Sequence, residues 1–497
     1  MAYEDRLIAD QHFDIALIGS GSGNSLPGPE FADKTIVYID RGVGPDRVFG
    51  GTCLNLGCIP SKMFVHTADV AATPMGAARL GLAETLDAVD WPAIRERVFG
   101  RIDPITAGGL DYRVHHPDNA NLTLLRGTAR LAGCAGVGAP AAATSAPFVL
   151  QVALNDGGTR TVSAEQVVLA AGSRPVVPDI PGLRAAGPLT SDTIMRIDGL
   201  PESLLILGSG VIAVEMAHIF GSLGVEVTLV ARSGRLLRQL DEDVSATATD
   251  VLARRFHVEP NMHTTRVERT GAGIRLVGER AGGEVVLQAA ELLVATGRTP
   301  NADLLGAAEA GLDVRADGTV ATDEYLRVTS GGAVVPGLWA LGDVTDGNQL
   351  KHVANHQLRC VKHNMLHSDE LRSAFTMPVP VGVFTDPQIA CVGLTEAQAQ
   401  DRSGDTGLDV RVGLQYYKDI AYGWAMEEPA GFAKIVADED GTILGAHIVG
   451  PEATTLIQPL IQAMSTGQRA QDVARSQYWI HPAMPELVEN ALLQLLD

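Results

Sequence analysis

Two short apolar runs, each ending in a glycine-rich turn, constrain this chain more than any other feature. Phe13–Ser20 reads FDIALIGS, and nearly two hundred residues later Leu204–Ser209 reads LLILGS. Short apolar runs bounded by glycine are the mark of buried strands, and each is followed by a second β-branched run, as a βαβ unit requires. Those second runs are Thr35–Asp40 and Val225–Ala231. In the first unit Gly19, Gly21 and Asn24 make a G-x-G-x-x-N turn, and Asp40 follows 21 residues after Gly19. The two glycines permit a tight turn and close approach of backbone to a pyrophosphate, while an acidic residue at that distance can accept hydrogen bonds from a ribose diol. Asn24 replaces the third glycine, and Pro27, Gly28 and Pro29 leave room for only a very short helix, which weakens any dipole contribution to phosphate binding. A glycine-rich turn without a ligand is the competing reading of this motif alone.

The second turn, GSGVIA, carries Gly208, Gly210 and Ala213, and its ribose end is the more informative. Position 231 is alanine, with Arg232 next and Arg238 six residues further. Arginines there favour a 2′-phosphate, so NADP(H) is preferred over NAD(H); the alternative is that both are solvated surface residues. After Thr376, Pro378 and Pro380 interrupt the pattern, and strand-like runs such as Gly431–Val436 alternate with helices. The expected fold class is α/β: two Rossmann-like dinucleotide-binding domains plus a C-terminal α+β domain. A length of 497 residues suits three or four domains. The segment 133–147, rich in Gly, Ala and Pro, reads as a surface loop.

The net charge of −21 is the wrong sign for a polyanion-binding surface, so neither nucleic acid nor an anionic membrane is an expected partner. No run approaches the roughly 18 to 20 apolar residues of a membrane helix, and the first residues lack the apolar core of a secretory signal. A cytoplasmic location is expected. Five cysteines are too few and too scattered for a disulfide-stapled scaffold.

Two of them, Cys53 and Cys58, lie in Gly50–Lys62 (GGTCLNLGCIPSK). On a regular helix, positions five apart are roughly 8 to 9 Å apart, beyond the roughly 4.4 to 6.8 Å of a disulfide. If the two pair, the turn between them is distorted; Gly57 supplies a permissive backbone and Pro60 disfavours helical geometry at Ile59. A pair this close in a reducing compartment is expected to cycle rather than to brace the fold. Zinc is the competing reading, but no second Cys or Cys/His pair at ligand spacing accompanies it, and no metal is expected. Near the C-terminus His481 and Glu486 stand in HPAMPE, where a carboxylate can orient an imidazole that delivers a proton to a leaving thiolate. Taken alone, His481 reads as an ordinary structural histidine.

Together with Ala295–Asn301 (ATGRTPN), Leu338–Asp343 (LWALGD) and Phe384–Gly393 (FTDPQIACVG), these motifs resemble the flavoprotein disulfide reductases over essentially the whole chain. Leu350–Gln357, Phe99–Ile105, Ala421–Glu427 and Tyr478–Asn490 look like the mycothiol-disulfide-reducing branch. The resemblance implies a homodimer with an FAD-binding domain (1–175), an NADPH-binding domain (176–298), a central segment completing the flavin site (299–372) and an interface domain (373–497). It implies that Asp40 holds the FAD ribose, that Asp343 lies at the flavin side, and that Lys62 and Glu215 form an ion pair near the flavin. Gly51, Thr52 and Gly297 belong to the same cofactor-binding motifs. It further implies that Cys53 and Cys58 form the redox disulfide, with Cys58 facing the flavin and Cys53 attacking the substrate, mycothione. His481, oriented by Glu486, would come from the partner subunit. Val211 departs from family members that carry an aromatic over the nicotinamide pocket, and Asn24–Lys34 lacks an arginine that would recognise glutathione carboxylates. The alternatives are an NAD-dependent dihydrolipoamide dehydrogenase, disfavoured by Arg232 and Arg238, another low-molecular-weight disulfide reductase, and a flavin-binding redox sensor without turnover. Mercuric and high-molecular-weight thioredoxin reductases are disfavoured because no cysteine follows Cys391.

Overall fold

The computed structural model describes residues 11–133, 148–407 and 409–496; beyond Gly133, the loop expected over 133–147 lies outside them. The first apolar run becomes β1 (Gln11–Ile18), paired in parallel with β2 (Ile36–Ile39) so that Ile15 stands opposite Ile36 and Ile18 opposite Ile39. On one side β2 pairs with β3 (Leu122–Leu125); on the other, β1 pairs with Thr159–Leu169. Residues 15–18 and 36–39 are all buried, which is why these runs are continuously apolar rather than alternating: a parallel sheet is covered on both faces. No full helix follows β1. Short 3-10 turns at Ser22–Ser25 and Pro29–Phe31 take its place, as Pro27, Gly28 and Pro29 require.

The second apolar run, Ser203–Leu207, is the middle strand of a separate five-stranded parallel sheet, followed at once by helix α4 (Val211–Ser222). Chain order and space then diverge. After this second sheet, Ala333–Ala340 returns to the first and pairs in parallel with Thr159–Leu169. The crossing is a two-stranded link in which Ser173–Pro175 pairs with Arg298–Pro300. The second unit is thus inserted within the first. The C-terminal region forms a five-stranded antiparallel sheet covered by helices, among them Glu486–Leu493.

Three helices connect these layers to the site. After a short α1 (Gly51–Asn55), the twenty-residue α2 (Cys58–Ala77) buries Pro60, Phe64, Ala68 and Ala72, a stripe at four-residue spacing. Phe64 stacks on Trp91 of α3 (Trp91–His115) at 5.2 Å, and Trp91 meets Phe220 of α4 at 5.8 Å. α4 buries nine of its twelve residues, so it is apolar nearly all round. The C-terminal sheet is tied to the second unit by Lys434, 2% exposed, which meets Asp241 at 2.9 Å, Asp243 at 2.7 Å and Glu396 at 2.6 Å. Asp241 caps α5 (Glu242–Arg255). Among the described residues no helix is long and apolar enough to cross a membrane.

Candidate active site

Cys53 and Cys58 lie on either side of a break between α1 and α2. Leu56 (φ −138°, ψ 2°) and Gly57 (φ −133°, ψ −115°) leave helical geometry, and Cys58 restarts it as the first residue of α2. Pro60 does not keep Ile59 out of the helix, contrary to expectation. It falls in the first turn, where its missing N–H has no intrahelical partner to lose, and Ser61 N–H closes that turn on Gly57 at 3.0 Å. The break is held from beneath by buried Asn55. Its amide donates to the carbonyls of Phe49 (2.8 Å) and Gly51 (3.0 Å), and its oxygen accepts from Thr106 Oγ1 at 2.6 Å.

Both cysteines are thiols, and hydrogen bonding between their side chains is the largest influence on the acidity of each. The bond from Cys53, opposed by burial and aided by the charges of Lys62 and Lys351, lowers the Cys58 thiol to about 7. The reciprocal effect raises Cys53, so the first thiolate of the pair is Cys58. Its seat at the head of a long helix suits that charge.

The pair opens into a continuous cavity of about 1540 Å3 running from Gly21 and Thr52, past Lys62, Glu215 and Asp343, to Gly208, Gly210, Gly297, Arg232 and Arg238. Val211 lines it as well. Lys62 Nζ meets Glu215 Oε2 at 2.6 Å, and Glu215 Oε1 accepts from Phe384 N at 3.0 Å. Asp343 Oδ2 accepts from Ser173 Oγ at 2.6 Å.

Both ends of this cavity fit dinucleotides. Side chains at Gly19 or Gly208 would strike the carbonyls of Ala170 or Ala295 at 2.2 and 2.3 Å, and one at Gly51 would meet Gly21 Cα at 2.4 Å, so the turns are bare backbone by necessity. Asp40, at the end of β2, accepts from Ser20 N with Oδ1, while buried Oδ2 has no hydrogen-bond partner among the described residues; Arg126 Nε is 3.7 Å away. Burial raises its carboxyl. An orphaned acceptor there matches a ribose hydroxyl. At the other end, Arg232 and Arg238 are exposed and form no ion pair with a described residue, whereas nearby Arg235 is paired with Glu242 at 3.0 Å. The two free guanidiniums match a phosphate.

Of the predicted cofactor residues, Gly19, Asn24, Asp40, Gly51 and Ala213 are not among those lining the cavity. Asn24 does not line the cavity: its Oδ1 accepts from Tyr38 Oη at 3.1 Å and Arg113 Nε at 3.0 Å, and its carbonyl accepts from Arg113 Nη2. Ala213 is fully buried and packs its helix against the sheet. His481 and Glu486 are joined, Nδ1 to Oε1 at 2.6 Å, yet His481 is 71% exposed and does not line the cavity of its own chain. Beside it Tyr478 and Ile480 are fully and largely exposed.

A family model described as pyridine nucleotide-disulphide oxidoreductase matches residues 13–357, and its dimerisation domain matches residues 379–492. The chain belongs to the pyridine nucleotide-disulphide oxidoreductases. Among the family's relatives, mycothione reductase of Mycobacterium tuberculosis is 46% identical over 97% of this chain and 99% of its own. Mercuric reductase of Streptomyces lividans is 32% identical over 96% and 94%. In fold, the chain is similar to the HOCl-induced flavoprotein disulfide reductase RclA from Escherichia coli, with a TM-score of 0.78 at 24% identity over 97% and 99% of the two chains. FAD and a pyridine nucleotide are the cofactors that membership of this oxidoreductase family implies. Sequence reasoning missed Asn55, Thr106, Ser22 and Lys351 at the site. All four stand inside or beside segments already singled out, Ser22 within Gly19–Asn24 and Thr106 just after Phe99–Ile105, but nothing in the sequence pairs Thr106 with Asn55 or Lys351 with Ser22.

Proposed function

We propose that this oxidoreductase uses NADPH to reduce the low-molecular-weight disulfide mycothione to two mycothiols, through FAD and the Cys53–Cys58 pair. The observation that carries the reading is a thiol pair at the head of α2, one member lowered to about 7, opening into the same cavity as two glycine turns and two unpaired arginines. The relative of 46% identity supports the substrate, and the lack of arginine in Asn24–Lys34 agrees with a substrate recognised through hydroxyls. We assign residues 1–175 and 299–372 to the FAD site, 176–298 to NADPH and 373–497 to the dimer interface, in a cytoplasmic homodimer.

Bound FAD supplies the two-electron passage between NADPH and the cysteine disulfide. Asp40 holds its ribose, Arg232 and Arg238 take the 2′-phosphate of NADPH, and Lys62 is fixed by Glu215 beside the thiols. Two electrons and one proton, together the hydride equivalent given up by NADPH, open the Cys53–Cys58 bond, leaving Cys58 as thiolate and Cys53 as thiol. The partner subunit's His481, oriented by Glu486, removes the Cys53 proton. Cys53 then attacks one sulfur of mycothione, whose S–S bond breaks. The departing mycothiol takes the proton from the imidazole. Cys58 attacks Cys53, re-forming the protein disulfide and releasing the second mycothiol, protonated from solvent.

In the Cys53→Ser variant, NADPH still bleaches the flavin while mycothione turnover falls to background, read by anaerobic spectra and NADPH oxidation. Normal turnover in that variant would overturn the assignment of the attacking thiol.

A further inference from the structure

Lys351 is the first residue of α6 (Lys351–Leu366) and lines the cavity with Gly21, Ser22, Thr52 and Cys53. Its Nζ donates to Ser22 Oγ at 3.0 Å, and the Ser22 hydroxyl donates to Asn355 Oδ1 at 3.4 Å. The ammonium is therefore held between the first glycine turn and the first turn of α6.

Charges around the thiols differ in how far they are already matched. Lys62 is paired with Glu215 at 2.6 Å. Asp343 is bonded by Ser173, and the His352 ring meets the Pro380 carbonyl at 2.9 Å. Lys351 forms no ion pair with a described residue. The field of Lys351 lowers both Cys53 and Cys58, and that of Lys62 also lowers Cys58. The turn that anchors Lys351 lies against the cysteine segment, since a side chain at Gly51, two residues before Cys53, would meet Gly21 Cα at 2.4 Å.

We propose that Lys351 is a positioning residue for the redox pair, an anchored cation that holds negative charge on whichever of Cys53 and Cys58 is ionised. The same cation then serves Cys58 after reduction and Cys53 once its proton has gone to the imidazole. The inference rests on the dithiol reading above and adds to it a residue outside the Gly50–Lys62 motif.

The test compares FAD-loaded wild type, Lys351→Gln and Lys351→Arg. After anaerobic reduction, the thiolate-to-flavin absorption is followed against pH. Separately, dithiothreitol-reduced protein is alkylated across pH and the peptides carrying Cys53 and Cys58 are quantified, a readout that needs no flavin. The midpoints in Lys351→Gln move to higher pH by about one unit, the scale set by one nearby opposite charge, while Lys351→Arg stays near wild type. Superimposed wild-type and Gln profiles, or an Arg variant behaving like Gln, overturn the role of Lys351. A wild type with no long-wavelength band on reduction and no pH-dependent labelling of either cysteine overturns the dithiol reading itself, and the inference with it.

Discussion

Removing the Cys53 thiol changes the Cys58 thiolate in a way that can be worked from the structure. The hydrogen bond from Cys53 is the largest cause of the lowered Cys58 thiol, which titrates at about 7. At pH 7 such a thiol is roughly half ionised, against about 3% for an ordinary thiol at roughly 8.5. Cys53→Ala deletes the donor, and Cys53→Ser keeps a hydroxyl in its place. If alanine returns Cys58 to the ordinary range, its thiolate fraction at pH 7 falls about 15-fold. Each thiolate also becomes more nucleophilic, by about 4-fold for that change with a Brønsted slope near 0.4. The rate of exchange with a dipyridyl disulfide then falls about 4-fold at pH 7 and exceeds that of Cys53→Ser by about 4-fold above pH 10, so the two pH–rate curves cross. Labelling is assigned to Cys58 by mass analysis of its peptide. Lys62 and Lys351 remain in both variants and do not generate a crossing. Coincident alanine and serine curves, or an alanine variant faster at pH 7, would refute the hydrogen bond as the cause.

Two further outcomes are expected. Replacing both Arg232 and Arg238 by alanine raises KM for NADPH by about 10- to 100-fold, as loss of charged hydrogen bonds to a phosphate would, and leaves KM for NADH within about twofold; equal effects on both nucleotides in initial-rate kinetics would contradict the 2′-phosphate assignment. Lys434→Met strips the cation from Asp241, Asp243 and Glu396 and lowers stability by about 3 to 5 kcal/mol in denaturant titration. A loss below about 1 kcal/mol would show that the cluster does not hold the two units together.

Much of this arrangement is legible in the residues because the chemistry is local. Strands covered on both faces must be continuously apolar, and the turns that follow must be bare backbone, so both nucleotide units announce themselves at Phe13 and Leu204. The proline run after Gly21 likewise foretells the missing helix. Pro60 misled because a proline's effect depends on its place in a helix, and the helix start at Cys58 is set by the break at Gly57. Asn24 misled because its spacing is that of a fingerprint, while its side chain answers to Tyr38 and to Arg113, 89 positions away. Lys351 reaches Ser22 across 329 positions, a contact created only when the chain returns from the inserted unit to the first sheet. The hydrogen bond between His481 and Glu486 was foreseeable from their nearness in sequence; that neither lines the cavity of its own chain is a property of the fold.

Oxidation of NADPH and NADH by the FAD-loaded enzyme, followed with mycothione, glutathione disulfide and lipoamide, decides which reaction the chain carries out. The expected result is that kcat/KM is highest for NADPH with mycothione and that Cys53→Ser abolishes this turnover. Equal or faster turnover of lipoamide with NADH would contradict it.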